Sequence, residues 1–198
     1  MEKPLTQMTD KALMRSAVRG DHNAFNEIVR RYTRPLAEFA AARTTIREDA
    51  EDVVQESFLL AYRYLHSFDE RYPLKNWLFT IVYRQLISFY RKKQTVRLSE
   101  DTMQQLAAPQ AAPTPHAWLW DTARMMSQDM FTALWLKYKQ DMSVAEVAHV
   151  MQKSQTSVRV LLHRARKQLA REIVTCPAKK AEERTWKFHG NTCLERTK

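Results

Sequence analysis

Only two glycines, Gly20 and Gly190, occur among the 198 residues, which leaves almost no tight hairpin turns and no glycine-rich loop to cradle a phosphate. Cysteine is equally scarce. Cys176 and Cys193 both fall near the C-terminus, so no disulfide framework is expected and the compartment should be reducing. No uninterrupted apolar run nears the roughly 20 residues that span a bilayer, and the opening MEKPLTQMTDKA has no apolar signal core. A soluble, cytoplasmic protein with no membrane partner is expected. Neither HExxH, nor a nucleophile beside a base, nor a phosphate loop is visible, so an enzyme is not expected, and no cofactor or metal with it. Acidic charge is in deficit too: 32 Lys and Arg face 22 Asp and Glu, a formal net charge of +10. That excess draws polyanions and makes nucleic acid the first partner to weigh.

What remains is rich in Ala, Leu, Gln, Glu, Arg and Lys, all good helix formers, and an all-α fold is expected. Thr9 and Asp10 offer a cap for a helix over about 11–19, ended by Gly20, and Asp21 and Asn23 offer caps for a second. That second helix sets Phe25, Ile28, Val29 and Tyr32 at helical spacing. Longer helices are expected over about 47–67 and, after Pro73, about 74–93. Residues 94–116 change character: Pro, Ala and Gln dominate, and no large apolar residue follows Leu106. This reads as a flexible linker reaching roughly 75 Å when extended, long enough to hold its flanks about two DNA turns apart. Two small helical modules are thus expected, over 10–93 and 117–174, with a polar tail over 175–198.

Stepping ~100° per residue along 48–65 puts Ala50, Val53, Val54, Ser57, Ala61, Tyr64 and Leu65 on one line and Glu48, Asp52 and Glu56 opposite. An acidic ridge on a basic chain would repel DNA, and a basic protein surface is its natural complement. An ordinary solvated helix face is the alternative. The helix NWLFTIVYRQLISFYRKK (76–93) is apolar around most of its circumference, as for a rod packed on several sides. Thr80, Arg84 and Ser88 recur every fourth residue, and Arg91 continues that polar strip, with Lys92 and Lys93 beside it. Cations following phosphates beside rings that stack on bases suit single-stranded nucleic acid. Most of Trp77, Phe79, Tyr83, Phe89 and Tyr90 are nonetheless expected in the core.

Ser143 with Glu146 forms a capping-box pattern opening a short helix with Val144, Val147, Ala148 and Met151 inward. Ser154 can cap a second helix with Val158, Leu161, Leu162, Ala165 and Leu169 on one side. Gln155, Thr156, Arg159, His163, Arg164, Arg166 and Lys167 lie on the other. A short helix followed by a basic one is the helix-turn-helix layout of a major-groove reader, although Gln152 stands where the turn often has glycine.

Together, RGDHNAFNEIVRRY (19–32), EDAEDVVQESFLLAYRYLHSF (48–68), the aromatic helix 76–93 and SVAEVAHVMQKSQTSVRVLLHRARKQL (143–169) resemble the extracytoplasmic-function sigma factors, in the family's order. The resemblance implies a sigma factor that binds core RNA polymerase and directs promoter-specific initiation. It implies that Asp49, Glu51, Asp52, Gln55 and Glu56 dock on the clamp helices of the polymerase largest subunit. It also implies that the 66–74 loop, including Phe68, and the line Thr80, Arg84, Ser88, Arg91 and Lys92 handle the single-stranded minus-ten element. Gln155, Thr156, Arg159, His163 and Arg164 would meet the duplex minus-thirty-five element, and an anti-sigma factor is a possible further partner. Thr80 to Arg84 reads TIVYR where the family commonly has Arg-Ile-Ala-Arg-Asn, so the preferred minus-ten bases do not carry over. Leu161 replaces a commonly basic position, and Lys153 a commonly apolar one.

A competing reading is a stand-alone helix-turn-helix regulator that uses only its C-terminal module on DNA. In the tail, Cys176, His189 and Cys193 are three potential zinc ligands, whereas a structural site needs four.

Overall fold

The structure is a computed structural model, and it describes residues 4–44, 46–97 and 117–175. The described residues form helices and turns without strands. A 3-10 turn at Leu5–Gln7 leads into α1 (Asp10–Val18), where the Thr9 hydroxyl accepts from the Ala12 amide at 3.3 Å. Gly20, at φ 96°, turns the chain after α1. Asp21 then accepts from the Asn23 and Ala24 amides and starts α2 (His22–Ala41). That helix runs through Pro35. An interior proline costs about 3 kcal/mol or more, and burial of Leu36, Phe39 and Ala40 beyond it outweighs the loss. Next come α3 (Arg47–Arg63), a 3-10 turn at Leu65–Ser67, and α4 (Leu74–Arg97). The last of these takes in the first four residues of the expected linker, 94–97. Leu13, Met14, Ile28, Phe39, Phe79 and Leu86 fill the centre of this first module.

The second module contains α5 (Ala117–Arg124), α6 (Gln128–Leu134), a π-helical turn over Trp135–Lys139, α7 (Val144–Met151) and α8 (Gln155–Thr175). Leu136, Met142, Val147, Val150 and Val158 are buried within it. The rest of the expected linker, 98–116, and the tail beyond Thr175 lie outside the described residues.

On α2, the Glu27 side chain is only 7% exposed and takes Arg30 at 2.7 Å and Arg31 at 2.8 Å. Those hydrogen bonds, opposed by desolvation, hold its carboxyl down at about 2 against an ordinary 4.5. A carboxylate whose folded pKa is depressed stabilises the fold fully above its unfolded pKa, and that contribution fades as pH falls towards the folded value. Glu27→Gln should therefore flatten the acid limb of the stability curve between about pH 4.5 and 2, read by urea unfolding at stepped pH. An unchanged slope would remove Glu27 from that limb.

The linker's reach would let the modules stand apart, yet in this structure they share one seam. Phe39 meets Trp135 at 6.4 Å between ring centroids. Arg43 at the end of α2 donates to the Gln128 carbonyl and the Thr132 hydroxyl, and sits 5.8 Å from the ring centroids of both Tyr90 and Phe131. Burial pushes the Arg43 pKa below its ordinary value. The Tyr83 hydroxyl donates to Asp129 at 3.3 Å, and burial, helped by that carboxylate, pushes it up to about 12. Lys75 donates to the Gln140 carbonyl, Asn76 to Glu146 at 3.0 Å, and Tyr72 stacks on His149 at 4.5 Å. Aromatic area unites the modules, because a linker's length limits how far its flanks part, not where they rest.

Candidate nucleic-acid and protein interfaces

The ridge on α3 is real, and its members differ. Ala50, Val53, Val54, Ser57, Phe58 and Ala61 are buried, whereas Glu48, Glu51, Asp52, Gln55 and Glu56 are exposed. Asp49 is half-buried and pairs with Lys93 at 3.0 Å, and Glu51 pairs with Arg47 at 2.7 Å. Asp52 and Glu56 make no ion pair among the described residues. Tyr64 departs from the core line expected for it and is 54% exposed. The helix ends at Arg63, and Tyr64 at φ −109°, ψ 25° has already left the 100° progression. The sequence line also passed over Leu59 and Tyr62. Both lie off the core side and are exposed on the same helix as the ridge.

The expected polar strip on α4 is only partly a surface. Thr80 is buried, and its hydroxyl donates to the Asn76 carbonyl at 2.8 Å, back onto its own helix. Arg84 is exposed and donates to the Gln152 side-chain oxygen, its Nε at 3.3 Å, with the amide turned to present that oxygen. The second module thus reaches over the strip. Ser88 is half-buried, and Arg91 and Lys92 are exposed. Phe68 is half-buried, edge-on to Trp77 at 5.5 Å. Phe79 and Tyr83 are buried and Trp77, Phe89 and Tyr90 half-buried, close to the core assignment expected of them.

The helix-turn-helix forms as the caps require. Ser143 accepts from the Glu146 amide at 3.2 Å while Glu146 accepts from the Ser143 amide at 2.7 Å. Desolvation raises the Glu146 pKa, but the bonds from Ser143 and from Asn76, reaching across from α4, together outweigh it and leave the pKa lowered. Gln152 closes α7 in the left-handed region, φ 53°, ψ 42°, at a cost of roughly 1–2 kcal/mol for a residue with a Cβ. Lys153, next in the turn, pairs with Asp129 at 3.1 Å. Ser154 accepts from the Ser157 amide at 3.1 Å and opens α8. Val158, Leu162, Ala165 and Leu169 are buried and Leu161 half-buried, while Gln155, Thr156, Arg159, His163 and Arg164 are all exposed. A cationic helix face stands free behind a capped turn, the geometry needed to enter a duplex groove.

Among the described residues no group of three or more His, Cys, Asp or Glu side chains could hold a metal ion. Cys176, His189 and Cys193 lie outside them. No helix among the described residues is long and apolar enough to cross a membrane.

Against known proteins, residues 28–96 match the sigma-70 region 2 family and residues 116–169 match the sigma-70 region 4 family. The ECF RNA polymerase sigma-E factor of Haemophilus influenzae is 28% identical over 183 residues, covering 84% of this chain and 96% of that protein. The ECF RNA polymerase sigma factor SigM of Bacillus subtilis is 29% identical, over 73% of this chain and 91% of its own length. Among solved structures, CnrH in complex with the cytosolic domain of CnrY superposes with a TM-score of 0.65 at 27% identity, covering 84% of this chain and 97% of that one.

Proposed function

This chain belongs to the sigma-70 family, as an extracytoplasmic-function sigma factor that binds core RNA polymerase and directs initiation at promoters, and on that premise we propose how its faces divide the work. Residues 10–93 act as region 2, 117–174 as region 4, and 94–116 as the connection between them. Asp49, Glu51, Asp52, Gln55 and Glu56 meet the polymerase clamp helices. Phe68, Arg84, Ser88, Arg91 and Lys92 handle the minus-ten strand, while the buried Thr80 stays bonded to its own helix, and Gln155, Thr156, Arg159, His163 and Arg164 meet the minus-thirty-five duplex.

The observation that carries this reading is a separation of charge. Asp52 and Glu56 make no ion pair among the described residues of the structure and stand exposed on α3, while the cations Arg159 and Arg164 stand on the outer face of α8. Carboxylates repelled by DNA and guanidinium groups drawn to it belong to one molecule that must hold two different partners. The Gln152 contact on the otherwise exposed Arg84 adds a step: the modules part before the α4 strip takes a strand. The protein carries out no covalent chemistry of its own in this scheme and works in the cytoplasm. CnrH was solved with the cytosolic domain of CnrY, and a protein antagonist, an anti-sigma factor, is proposed here by analogy.

The deciding experiment mixes the purified chain with core polymerase and promoter DNA and follows strand opening and transcript. Tight, site-specific duplex binding without core, and no transcript with it, would instead favour the stand-alone regulator. Within this scheme Arg159→Ala should cost about 1–3 kcal/mol at the minus-thirty-five duplex if the guanidinium reads a base edge. Equal weakening on every sequence would make it a phosphate contact.

A further inference from the structure

Beside the acidic ridge lies an apolar groove of about 520 Å³ between the first half of α2 and the later half of α3. His22, Phe25, Asn26 and Val29 form one wall, and Leu59 and Tyr62 the other. Leu59 is 63% exposed and Tyr62 44%. The wall is fixed rather than loose: the Tyr62 hydroxyl bonds His22 Nδ1 at 2.8 Å, and its ring meets Phe25 edge-on at 5.0 Å. Gln55 also lines the groove, and on α3 it sits between Asp52 and Glu56. Groove and ridge therefore form one continuous face, greasy at one end and acidic at the other. Its natural occupant is a segment with aromatic rings set among cations.

The chain contains such a segment outside the described residues. Residues 176–198 carry six Lys and Arg against three Glu, a net charge of +3, with Trp186 and Phe188 among Lys179, Lys180, Arg184 and Lys187. The other long segment outside the described residues, 98–116, has no Lys or Arg, no Phe, Trp or Tyr, and carries Glu100 and Asp101. It fits neither end of the face. The ~11 residues from Thr175 to Trp186 extend to roughly 35 Å, about the width of a small domain.

We propose that residues 176–198 dock on this face, with Trp186 or Phe188 entering the groove beside Leu59 and Tyr62 and the tail cations lying along Glu48, Asp52 and Glu56. The seat stands on the groove and on charge. Its consequence, that the tail competes with core polymerase, rests on the proposed docking role of the ridge.

The test uses the full chain with Tyr62 replaced by the photo-cross-linker p-benzoylphenylalanine, followed by irradiation, proteolysis and mass spectrometry. The expected product is a cross-link within one chain to the fragment carrying Trp186, diminished by half-molar salt and by the double substitution Trp186→Ala, Phe188→Ala. A cross-link only to another segment, only between two copies, or none at all overturns the seat and leaves the docking role of the ridge standing. In the chain without the cross-linker, the same double substitution should raise affinity for core polymerase about five- to tenfold, the factor expected if the tail covers the face for 80–90% of the time. An intramolecular cross-link together with unchanged core affinity would keep the seat and overturn the ridge as the polymerase face.

Discussion

Replacing Asp52 and Glu56 together by Lys should weaken binding to core polymerase by about 100-fold or more, with helix content and unfolding midpoint unaltered. Close interfacial charge pairs are each worth roughly 1.5 kcal/mol or more, and two of them at that lower bound amount to about 3 kcal/mol, or about two powers of ten in affinity. The fold should not register the change, because both side chains are exposed and neither holds an ion pair among the described residues. Asp49 is a poorer probe, since it also ties α3 to α4 through Lys93 at 3.0 Å. Fluorescence anisotropy of the labelled chain titrated with core enzyme gives the affinity, and circular dichroism the fold. A loss smaller than threefold would take the ridge out of the polymerase contact.

Locking the seam should abolish promoter opening altogether. Tyr72 and His149 stack face to face across it with centroids 4.5 Å apart, and both are exposed. After Cys176 and Cys193 are replaced by Ser, cysteines at 72 and 149 joined by a short cleavable thiol reagent would hold α7 against the α4 end of the first module. The bridged protein should still bind core polymerase, because the exposed carboxylates of α3 remain accessible, yet fail to yield open complex or transcript. Cleavage of the bridge should restore both. The obstruction is steric: Gln152 occupies Arg84, and Glu146 occupies Asn76, so a strand cannot follow α4 while α7 lies there. If the bridged and cleaved forms opened a promoter equally well, the closed arrangement would have no bearing on initiation.

Much of this architecture is written locally. Thr9, Asp21, Ser143 and Ser154 each hydrogen-bond the backbone amide their position promises, because a cap needs only the residues next to it. The α8 faces sort for a similar reason, since a straight helix keeps its phase. Tyr64 escaped because a helix end is a tertiary decision, and one residue past it the phase no longer applies. Thr80 escaped because a hydroxyl can satisfy itself on its own helix, and nothing in residue spacing separates that from a polar surface. The seam was the largest omission, although one sign of it was visible: α4 is too apolar around its circumference for the first module alone to cover. Which partner would cover it depended on Phe39, Arg43 and Trp135 meeting across a segment whose composition says nothing about its resting position.

Arg43 gives the closed molecule a built-in counterweight. Shut between Tyr90 and Phe131, with one carbonyl and the hydroxyls of Thr132 and Tyr90 for company and the charge of Asp129 nearby, this guanidinium has given up most of its hydration, and no carboxylate makes an ion pair with it among the described residues. Bringing the two halves together releases water from hydrocarbon and aromatic rings but also dehydrates a cation that would rather stay wet. The join should therefore adhere less firmly than its ring area alone would give.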